Sequence, residues 1–194
     1  MTRTFIALEM HQAAQRHLAE IIQRAARALP TLRWVDPAGI HLTLAFLGEL
    51  TDEQLAQAMQ AAEITAERSG AFSYRHTQLG IFGSPRQPRV IWMGIEEPSG
   101  SLLQLHRTLS RELKLRGFAL EARPFSPHLT LARVKNPLLP EELQALQWLL
   151  SGKHFDAASP ASYQVEHITV MKSELSRAGV RYTPLELYPL GKRS

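Results

Sequence analysis

The chain has 194 residues, with 22 Lys and Arg against 18 Asp and Glu, eight His and no Cys. This length can bury a core without cross-links, and the lack of Cys excludes a disulfide framework, a thiolate zinc site and a Cys nucleophile. No run approaches the roughly 20 apolar residues of a membrane span, and the first apolar run is too short for a signal peptide. We therefore expect a cytoplasmic protein without a membrane partner, and the net charge of +4 is compatible with an anionic partner such as nucleic acid.

Apolar periodicity predicts that strands and helices alternate along the chain. In chain order the predicted elements are a strand over Thr4–Leu8, a helix over Gln12–Leu29, a strand over Ile40–Leu47, a helix capped by Thr51 that runs to about Arg68, strands over Ala71–Leu79 and Arg89–Ile95, a helix over Ser101–Arg116, a strand over His128–Val134, a helix over Pro140–Leu150, and strands over Tyr163–Met171 and Val180–Tyr188. No composition break marks a linker, so we expect a single domain over residues 1–194.

Capping residues and glycines predict where these elements begin and end. Thr51 and Gln54 form a capping-box pattern at the start of the second helix, and Gly117 is placed to end the third. Gly48 is expected to end the second strand, and the Gly- and Pro-rich segment Gly80–Pro88 is expected to be a loop.

An internal repeat divides the chain. His41-Leu-Thr-Leu-Ala45 recurs as His128-Leu-Thr-Leu-Ala132, 87 residues later, and at this composition such a recurrence has about one chance in a thousand. Each copy is predicted to be a strand followed by a helix, which indicates two related lobes. His167 and Thr169 repeat only the bare His-x-Thr spacing, which chance readily supplies, so His167 is interpreted as a structural strand residue.

Alternation along a strand determines what each copy of the repeat can present. His and Thr share one face, and the two Leu share the other, which is expected to pack on helices. The His–Thr face needs polar surroundings, because a buried imidazole or hydroxyl without a partner costs about 1–3 kcal/mol. Two facing lobes would therefore gather two imidazoles and two hydroxyls in one cleft.

These residue types favour phosphoryl chemistry at a ribose cyclic phosphate. With an ordinary pKa of about 6.5, one imidazole can accept a proton while a charged one donates. Thr hydroxyls donate hydrogen bonds to phosphate oxygens without adding charge. An acid, a base and hydrogen-bond donors suffice to open a phosphodiester without a metal or another cofactor.

Two alternatives stay open at this point. Each His could form hydrogen bonds within its own lobe only, although the five-residue identity disfavours this. A metal centre is the other alternative, but two His alone rarely hold zinc, and Glu49 is the carboxylate that lies near a motif in sequence.

The motifs His41-Leu-Thr-Leu44 and Pro127-His-Leu-Thr-Leu131 resemble those of the 2H phosphoesterase superfamily. More narrowly, the chain resembles the RNA 2′,3′-cyclic phosphodiesterase family, also called the 2′-5′ RNA ligase family, and the resemblance covers nearly the whole chain. Further segments that carry it are Arg3–Leu8, His41–Glu49, Arg123–Arg133, Ser173–Leu175, Gly179 and Arg181–Leu185.

The resemblance implies a bilobal α/β (α+β) fold, in which two pseudo-symmetric lobes with antiparallel-rich sheets face a central cleft and the helices lie outside. It implies metal-independent hydrolysis of RNA 2′,3′-cyclic phosphate ends, or of nucleoside 2′,3′-cyclic phosphates, to 2′-phosphomonoesters. A reversible 2′-5′ RNA ligase or nuclease with the same residues is the alternative within catalysis. An RNA-end binding module without catalysis is the alternative from another class, which two intact motifs disfavour. A monomer fits the self-contained two-lobe layout.

Carried over to this sequence, the resemblance makes His41 and His128 the acid–base pair and makes Thr43 and Thr130 the phosphate-binding residues. Formation of a 2′-phosphate breaks the bond to O3′. We assign His128 as the base that activates water and His41 as the acid that protonates the leaving O3′.

Two further residues follow the motifs directly. The resemblance implies a phosphate contact for Arg133, yet strict alternation points its side chain away from the cleft unless a bulge, a strand end or a twist brings it back. Phe46 resembles a family position beside the nucleoside, where a base could stack on it. The same alternation places Phe46 on the Leu face, so core packing is the alternative.

The remaining signals are weaker. Trp34 and Trp92 are expected to be packing residues. Four residues near the expected Gly80–Pro88 loop form either a solvated face or an RNA contact: Arg75, His76, Arg86 and Arg89.

Overall fold

The computed structural model describes residues 1–153, 156–176 and 179–191, and the single domain expected over residues 1–194 reaches beyond these ranges and stays a prediction. In chain order the elements are β1 (Thr2–Glu9), α1 (Gln12–Ala28), β2 (His41–Leu50), α2 (Asp52–Glu67), β3 (Phe72–Ser84), β4 (Gln87–Glu96), α3 (Ser101–Leu115), β5 (His128–Arg133), α4 (Pro140–Leu150), β6 (Tyr163–Val165), β7 (His167–Ser176) and β8 (Gly179–Pro189). A short 3-10 turn, Pro37–Gly39, precedes β2.

The strands form two four-stranded sheets in which every described pair is antiparallel. Their orders are β2-β1-β7-β8 and β5-β4-β3-β6. The segments β1-α1-β2-α2 and β4-α3-β5-α4 repeat one order of elements, which confirms the bilobal α+β fold. Each motif strand, β2 or β5, is the edge strand of its sheet, and the two edge strands contact each other.

Helices of one lobe pack against helices of the other. Helix α2 packs on β7 and β8 of the first sheet and contacts α3, whereas α4 contacts β3 of the second sheet and α1. The apolar face of α3 is buried, and each such Leu contributes about 1.5–3 kcal/mol relative to an exposed side chain. The residues of this face are Leu102, Leu105, Leu109 and Leu113.

A buried carboxylate fixes the contact between α2 and α3. Glu112 accepts hydrogen bonds from Nη1 of Arg68 and from Nη1 of Arg116, each at 2.9 Å. The hydrogen bond from Arg116 holds the pKa of Glu112 below its ordinary value, and the Arg68 charge acts in the same direction. Removing either cation would leave a buried charge poorly compensated, so this cluster constrains the packing between the lobes.

The expected loop over Gly80–Pro88 is wrong. β3 continues to Ser84 and β4 begins at Gln87, so that only a two-residue turn joins them. Gly80 lies inside β3 because the Trp92 indole packs against it: a Cβ built there would be 2.1 Å from a ring carbon. Glycine therefore marks a close approach between neighbouring strands at this position.

Two other predicted boundaries are also wrong. Gly48, with φ of 75°, lies beside a register shift within β2, and the strand continues to Leu50. The strand expected over Tyr163–Met171 is two strands, because the chain passes from the second sheet to the first at Glu166.

The capping predictions are confirmed. The Gln54 amide N–H donates to Thr51 Oγ1 at 3.2 Å, and the Thr51 N–H donates to the Gln54 side chain at 3.0 Å. Gly117 follows α3 with φ of 83°. Among the described helices, none has the length and apolar character that crossing a membrane requires.

A half-buried imidazole and a buried one meet between α1 and β3. The Nδ1 atoms of His17 and His76 are 2.8 Å apart, and the Tyr163 ring lies 4.6 Å from His76. The expectation that His76 belongs to a surface cluster is therefore wrong, since it is 1% exposed. Burial lowers the pKa of His76 to about 3, and the neighbouring His17 adds to the effect.

Acid is expected to destabilise the protein through this pair. An unfolded His binds a proton near pH 6.5, whereas folded His76 does so only near pH 3, so the stability present above pH 6.5 falls as pH drops between these values. His76→Gln should therefore show a smaller fall in urea midpoint between about pH 7 and about pH 4.5 than the parent. His167→Gln, at the exposed start of β7, should keep the parental fall, and an unchanged fall in His76→Gln would contradict the interpretation.

Candidate active site

Each motif histidine is the first residue of its strand and is oriented by the backbone before it. The Nδ1 of His41 lies 2.9 Å from the carbonyl oxygen of Gly39, and the Nδ1 of His128 lies 2.7 Å from that of Ser126. Because a carbonyl oxygen only accepts, both Nδ1 atoms must carry the proton in these bonds. In both neutral imidazoles, Nε2 is therefore left as the acceptor for a proton.

A bulge in β2 redirects the residues after Thr43. Thr43 pairs with Ala7 and Ala45 pairs with Ile6, so that Leu44 is the extra residue. Leu44 and Ala45 are both buried, and Phe46 returns to the other face with 46% of its surface exposed. The alternation that grouped Phe46 with the core is therefore wrong.

The same bulge recurs in β5. Thr130 pairs with Trp92 and Ala132 pairs with Ile91, which leaves Leu131 as the extra residue. Leu131 and Ala132 are buried, and Arg133 is exposed. Strict alternation would point the Arg133 side chain away from the cleft, and the bulge reverses the face on which it lies.

The predicted cleft is present between the two edge strands. A cavity of about 490 Å³ is lined by both motif histidines and both motif threonines, together with Arg133. Sequence reasoning missed several other residues of its wall, which come from the segment before β2, from the segment after β5 and from β8: Arg33, Asp36, Lys135 and Tyr182. We call this cavity the central cavity.

A second, larger cavity of about 970 Å³ adjoins the central one, and Thr43 and His128 line both. Phe46 and Phe82 also line this second cavity, which we call the α3 cavity because α3 forms one of its walls. Phe46 therefore lies near the motifs but lines a different cavity from Arg133, which lines the central cavity.

Aromatic rings hold the two imidazoles in place. The His41 ring lies 4.7 Å from Phe5 and 4.8 Å from Tyr182, which meets it edge-on. The His128 ring meets Phe82 edge-on at 4.6 Å. Apolar walls of this kind limit rotation of the rings, and they also remove water from them.

The environment of His41 biases it towards the neutral form. Burial lowers the pKa of His41, the Gly39 carbonyl and the Glu9 charge oppose this, and the Arg133 charge lowers the pKa further. Glu9 pairs with His41 across the β1–β2 ladder, and it accepts a hydrogen bond from Thr169 at 2.9 Å.

Three other residues that the sequence singled out have mainly structural contacts. Trp34 packs on the core as expected, and its Nε1 donates to the Leu29 carbonyl at 3.2 Å, yet it also lines the central cavity. Trp92 packs on Gly80, as its predicted packing role requires. Arg75 forms an ion pair with Glu96 at 3.3 Å.

Within the described ranges, no three side chains of His, Asp or Glu come close enough together to hold a metal ion. The metal-independent reaction stays a prediction.

Opposite pKa shifts of His41 are expected when its two charged neighbours are neutralised one at a time. Arg133→Gln removes a positive charge and should raise the pKa of His41, whereas Glu9→Gln removes a negative charge and should lower it. NMR titration of the imidazole C–H signals measures both values. Shifts of the same sign in the two variants would contradict this electrostatic account.

Paired His–Thr strands that face a shared cavity in a bilobal α+β fold define a 2H phosphoesterase. The sequence profile of the 2′-5′ RNA ligase superfamily matches residues 12–177, and the chain belongs to this family.

Two curated relatives align along nearly the whole chain. The RNA 2′,3′-cyclic phosphodiesterase of Methanothermobacter thermautotrophicus is 30% identical over 188 residues, which are 97% of this chain and 98% of that protein. The protein of the same name from Geobacillus stearothermophilus is 30% identical over 189 residues, but the chain spans only 56% of its length. The crystal structure of E. coli LigT complexed with 3′-AMP is similar with a TM-score of 0.73 and 28% identity, covering 97% of this chain and 98% of that one.

Proposed function

We propose that this protein hydrolyses 2′,3′-cyclic phosphate ends of RNA to 2′-phosphomonoesters, with His41 and His128 as the acid–base pair. The observation that carries the proposal is the pair of imidazoles in one cavity, each with Nδ1 bonded to a backbone carbonyl and Nε2 left for proton transfer. The names of the relatives above, which state this substrate, support it.

The proposed reaction needs one proton removed and one supplied on opposite sides of phosphorus. His128 accepts a proton from water through Nε2, and the resulting oxygen nucleophile attacks the phosphorus. The P–O3′ bond breaks, and His41, protonated on Nε2, donates that proton to O3′. The products are a 3′-hydroxyl and a 2′-phosphate, and the two histidines exchange protonation states.

The threonines and Arg133 surround the place where charge develops. Thr43 and Thr130 each donate a hydrogen bond from the hydroxyl group to a non-bridging oxygen, and Arg133 adds positive charge to the lining of the central cavity. Arg133 also lowers the pKa of His41, so phosphate binding, which screens that charge, favours the protonated acid.

Loss of either histidine should lower kcat by at least about 10²-fold, because a general acid or base contributes about 10²–10⁴. His41→Ala and His128→Ala are compared with His167→Ala, which removes the histidine of the third His-x-Thr pair and should retain activity. The assay uses a nucleoside 2′,3′-cyclic phosphate, and chromatography distinguishes the 2′- from the 3′-phosphate product. Full activity in either motif variant would exclude the mechanism.

Chelation should leave the rate unchanged. Activity measured with and without EDTA in the same assay is expected to agree. Loss of activity in EDTA and its recovery on adding a divalent ion would replace the two-histidine mechanism with a metal-dependent one.

Phe46 is proposed to stack on the base of the terminal nucleotide. The Arg3 guanidinium lies 5.1 Å from the centre of the Phe46 ring, and the ring also lines the α3 cavity. Stacking is worth about 1–3 kcal/mol per base.

Phe46→Leu should therefore raise KM for a nucleoside 2′,3′-cyclic phosphate at least about fivefold while changing kcat little. Phe46→Tyr keeps an aromatic face and should stay near the parental KM. Equal KM values in all three proteins would show that the base does not contact this ring.

A reversible 2′-5′ ligase or nuclease activity uses the same groups, since a 5′-hydroxyl can replace water as nucleophile. The family description supports this second candidate. Incubation of cyclic-phosphate RNA with 5′-hydroxyl RNA distinguishes the two through a 2′-5′-linked product. A monomeric state and a cytoplasmic location stay predictions.

A further inference from the structure

The α3 cavity has a charge pattern that hydrolysis of a single nucleotide leaves unused. Four cationic side chains line it, against the single carboxylate of Glu121: Arg107, Arg111, Lys114 and Arg123. Like charges around one cavity repel one another, and an anionic ligand removes this repulsion.

Three of these cations follow one face of α3. Arg107, Arg111 and Lys114 have the spacing i, i+4 and i+7, which places their positions about 6 Å and then about 4.5 Å apart along the helix axis. The opposite face of the helix is the buried leucine face. A row of charges at this spacing suits a ligand with repeated negative charges better than one with a single phosphate.

Three of these four cations are also available to bind a ligand. Arg107, Lys114 and Arg123 are exposed, and their side chains form no ion pair or hydrogen bond with any described residue. Arg111, by contrast, lies 3.4 Å from the buried Glu112 and is therefore a poorer candidate.

A stacked ring pair gives the α3 cavity a fixed wall. His106 of α3 and Phe125 of the segment before β5 stack at 3.9 Å with an interplanar angle of 7°. Burial lowers the pKa of His106, which keeps this pair uncharged near neutral pH. Phe46 also lines the α3 cavity, which therefore combines aromatic rings with cations, the combination that binds single-stranded nucleic acid.

The position of the α3 cavity beside the central cavity indicates in which direction an RNA strand would run. Thr43 and His128 line both cavities, so a phosphate between the motif histidines would lie next to the α3 cavity. A 2′,3′-cyclic phosphate is the 3′ terminus of an RNA, and the chain can continue only on its 5′ side.

We propose that the α3 cavity binds the RNA strand on the 5′ side of the cyclic phosphate, with Arg107, Lys114 and Arg123 contacting its backbone phosphates. This inference rests on the proposed function and adds the place at which the rest of the RNA strand binds. The enzyme then acts on a cyclic-phosphate oligonucleotide with a higher kcat/KM than on the corresponding mononucleotide.

The test compares two substrates, a nucleoside 2′,3′-cyclic phosphate and a four-nucleotide RNA ending in the same group. Arg107→Gln, Lys114→Gln and Arg123→Gln should each lower kcat/KM for the tetranucleotide about threefold to tenfold, through KM, and leave the mononucleotide rate unchanged. Arg27→Gln, an exposed cation in the last turn of α1, is the charge-matched control and should change neither. The salt dependence of tetranucleotide binding should weaken by about 0.7 in log–log slope per lost contact.

Binding is measured separately by fluorescence anisotropy of a labelled tetranucleotide that ends in a 2′-phosphate, so that its outcome does not depend on hydrolysis. Weaker binding in the three variants, even without any hydrolysis by the parent, would support the RNA site while removing the proposed reaction. Equal losses for both substrates, or parental binding in all three variants, would overturn the inference. A labelled acidic peptide that binds the parent, binds the three variants more weakly and is not displaced by the tetranucleotide would assign the cavity to a protein partner and also overturn the inference.

Discussion

The site depends on a bulge of one residue that occurs at the same place in each edge strand. Leu44 in β2 and Leu131 in β5 are inserted where the strand must change which side chains it buries. Before each bulge, His and Thr face the cleft. After the bulge, Phe46 in β2 and Arg133 in β5 are exposed and do not point into the core. In each strand, two consecutive buried residues, Leu and Ala, lie between the Thr and the exposed residue. Without the bulge, strict alternation along the same sequence would bury the phenyl ring and, at much greater cost, a guanidinium.

The backbone, as much as the side chains, sets the chemical state of the histidines. Both imidazoles donate from Nδ1 to a carbonyl two residues earlier, although those residues are Gly39 in one copy and Ser126 in the other. The partner is a main-chain atom, so its side chain is free to differ between the copies. The aromatic surroundings of the two rings differ: His41 lies against Phe5 and Tyr182, and His128 lies against Phe82.

The repeat allowed the two lobes, the cleft and its four polar residues to be predicted, because a five-residue identity fixes which side chains share a face. The bulges were not predictable from alternation, since the pattern after each Thr reads equally well as an uninterrupted strand. The hairpin of β3 and β4 was missed because Gly80 indicated a loop, whereas its role is to admit the Trp92 indole. Tyr182 was also missed, because β8 reaches the site through a sheet order that sequence does not specify.

The two cavities are related by the same repeat, yet their walls are not equivalent. Residues 33–36 line the central cavity and residues 120–123 line the α3 cavity, and these segments are 87 residues apart, as the motifs are. The other parts of the walls differ: β8 supplies Tyr182 to the central cavity, and α3 supplies a row of cations to the α3 cavity. A substrate with a phosphate at its end is itself asymmetric, since its chain leaves in one direction only. The pseudo-symmetric core therefore places the paired residues, and we propose that the elements that break the symmetry determine which way an RNA end lies across it.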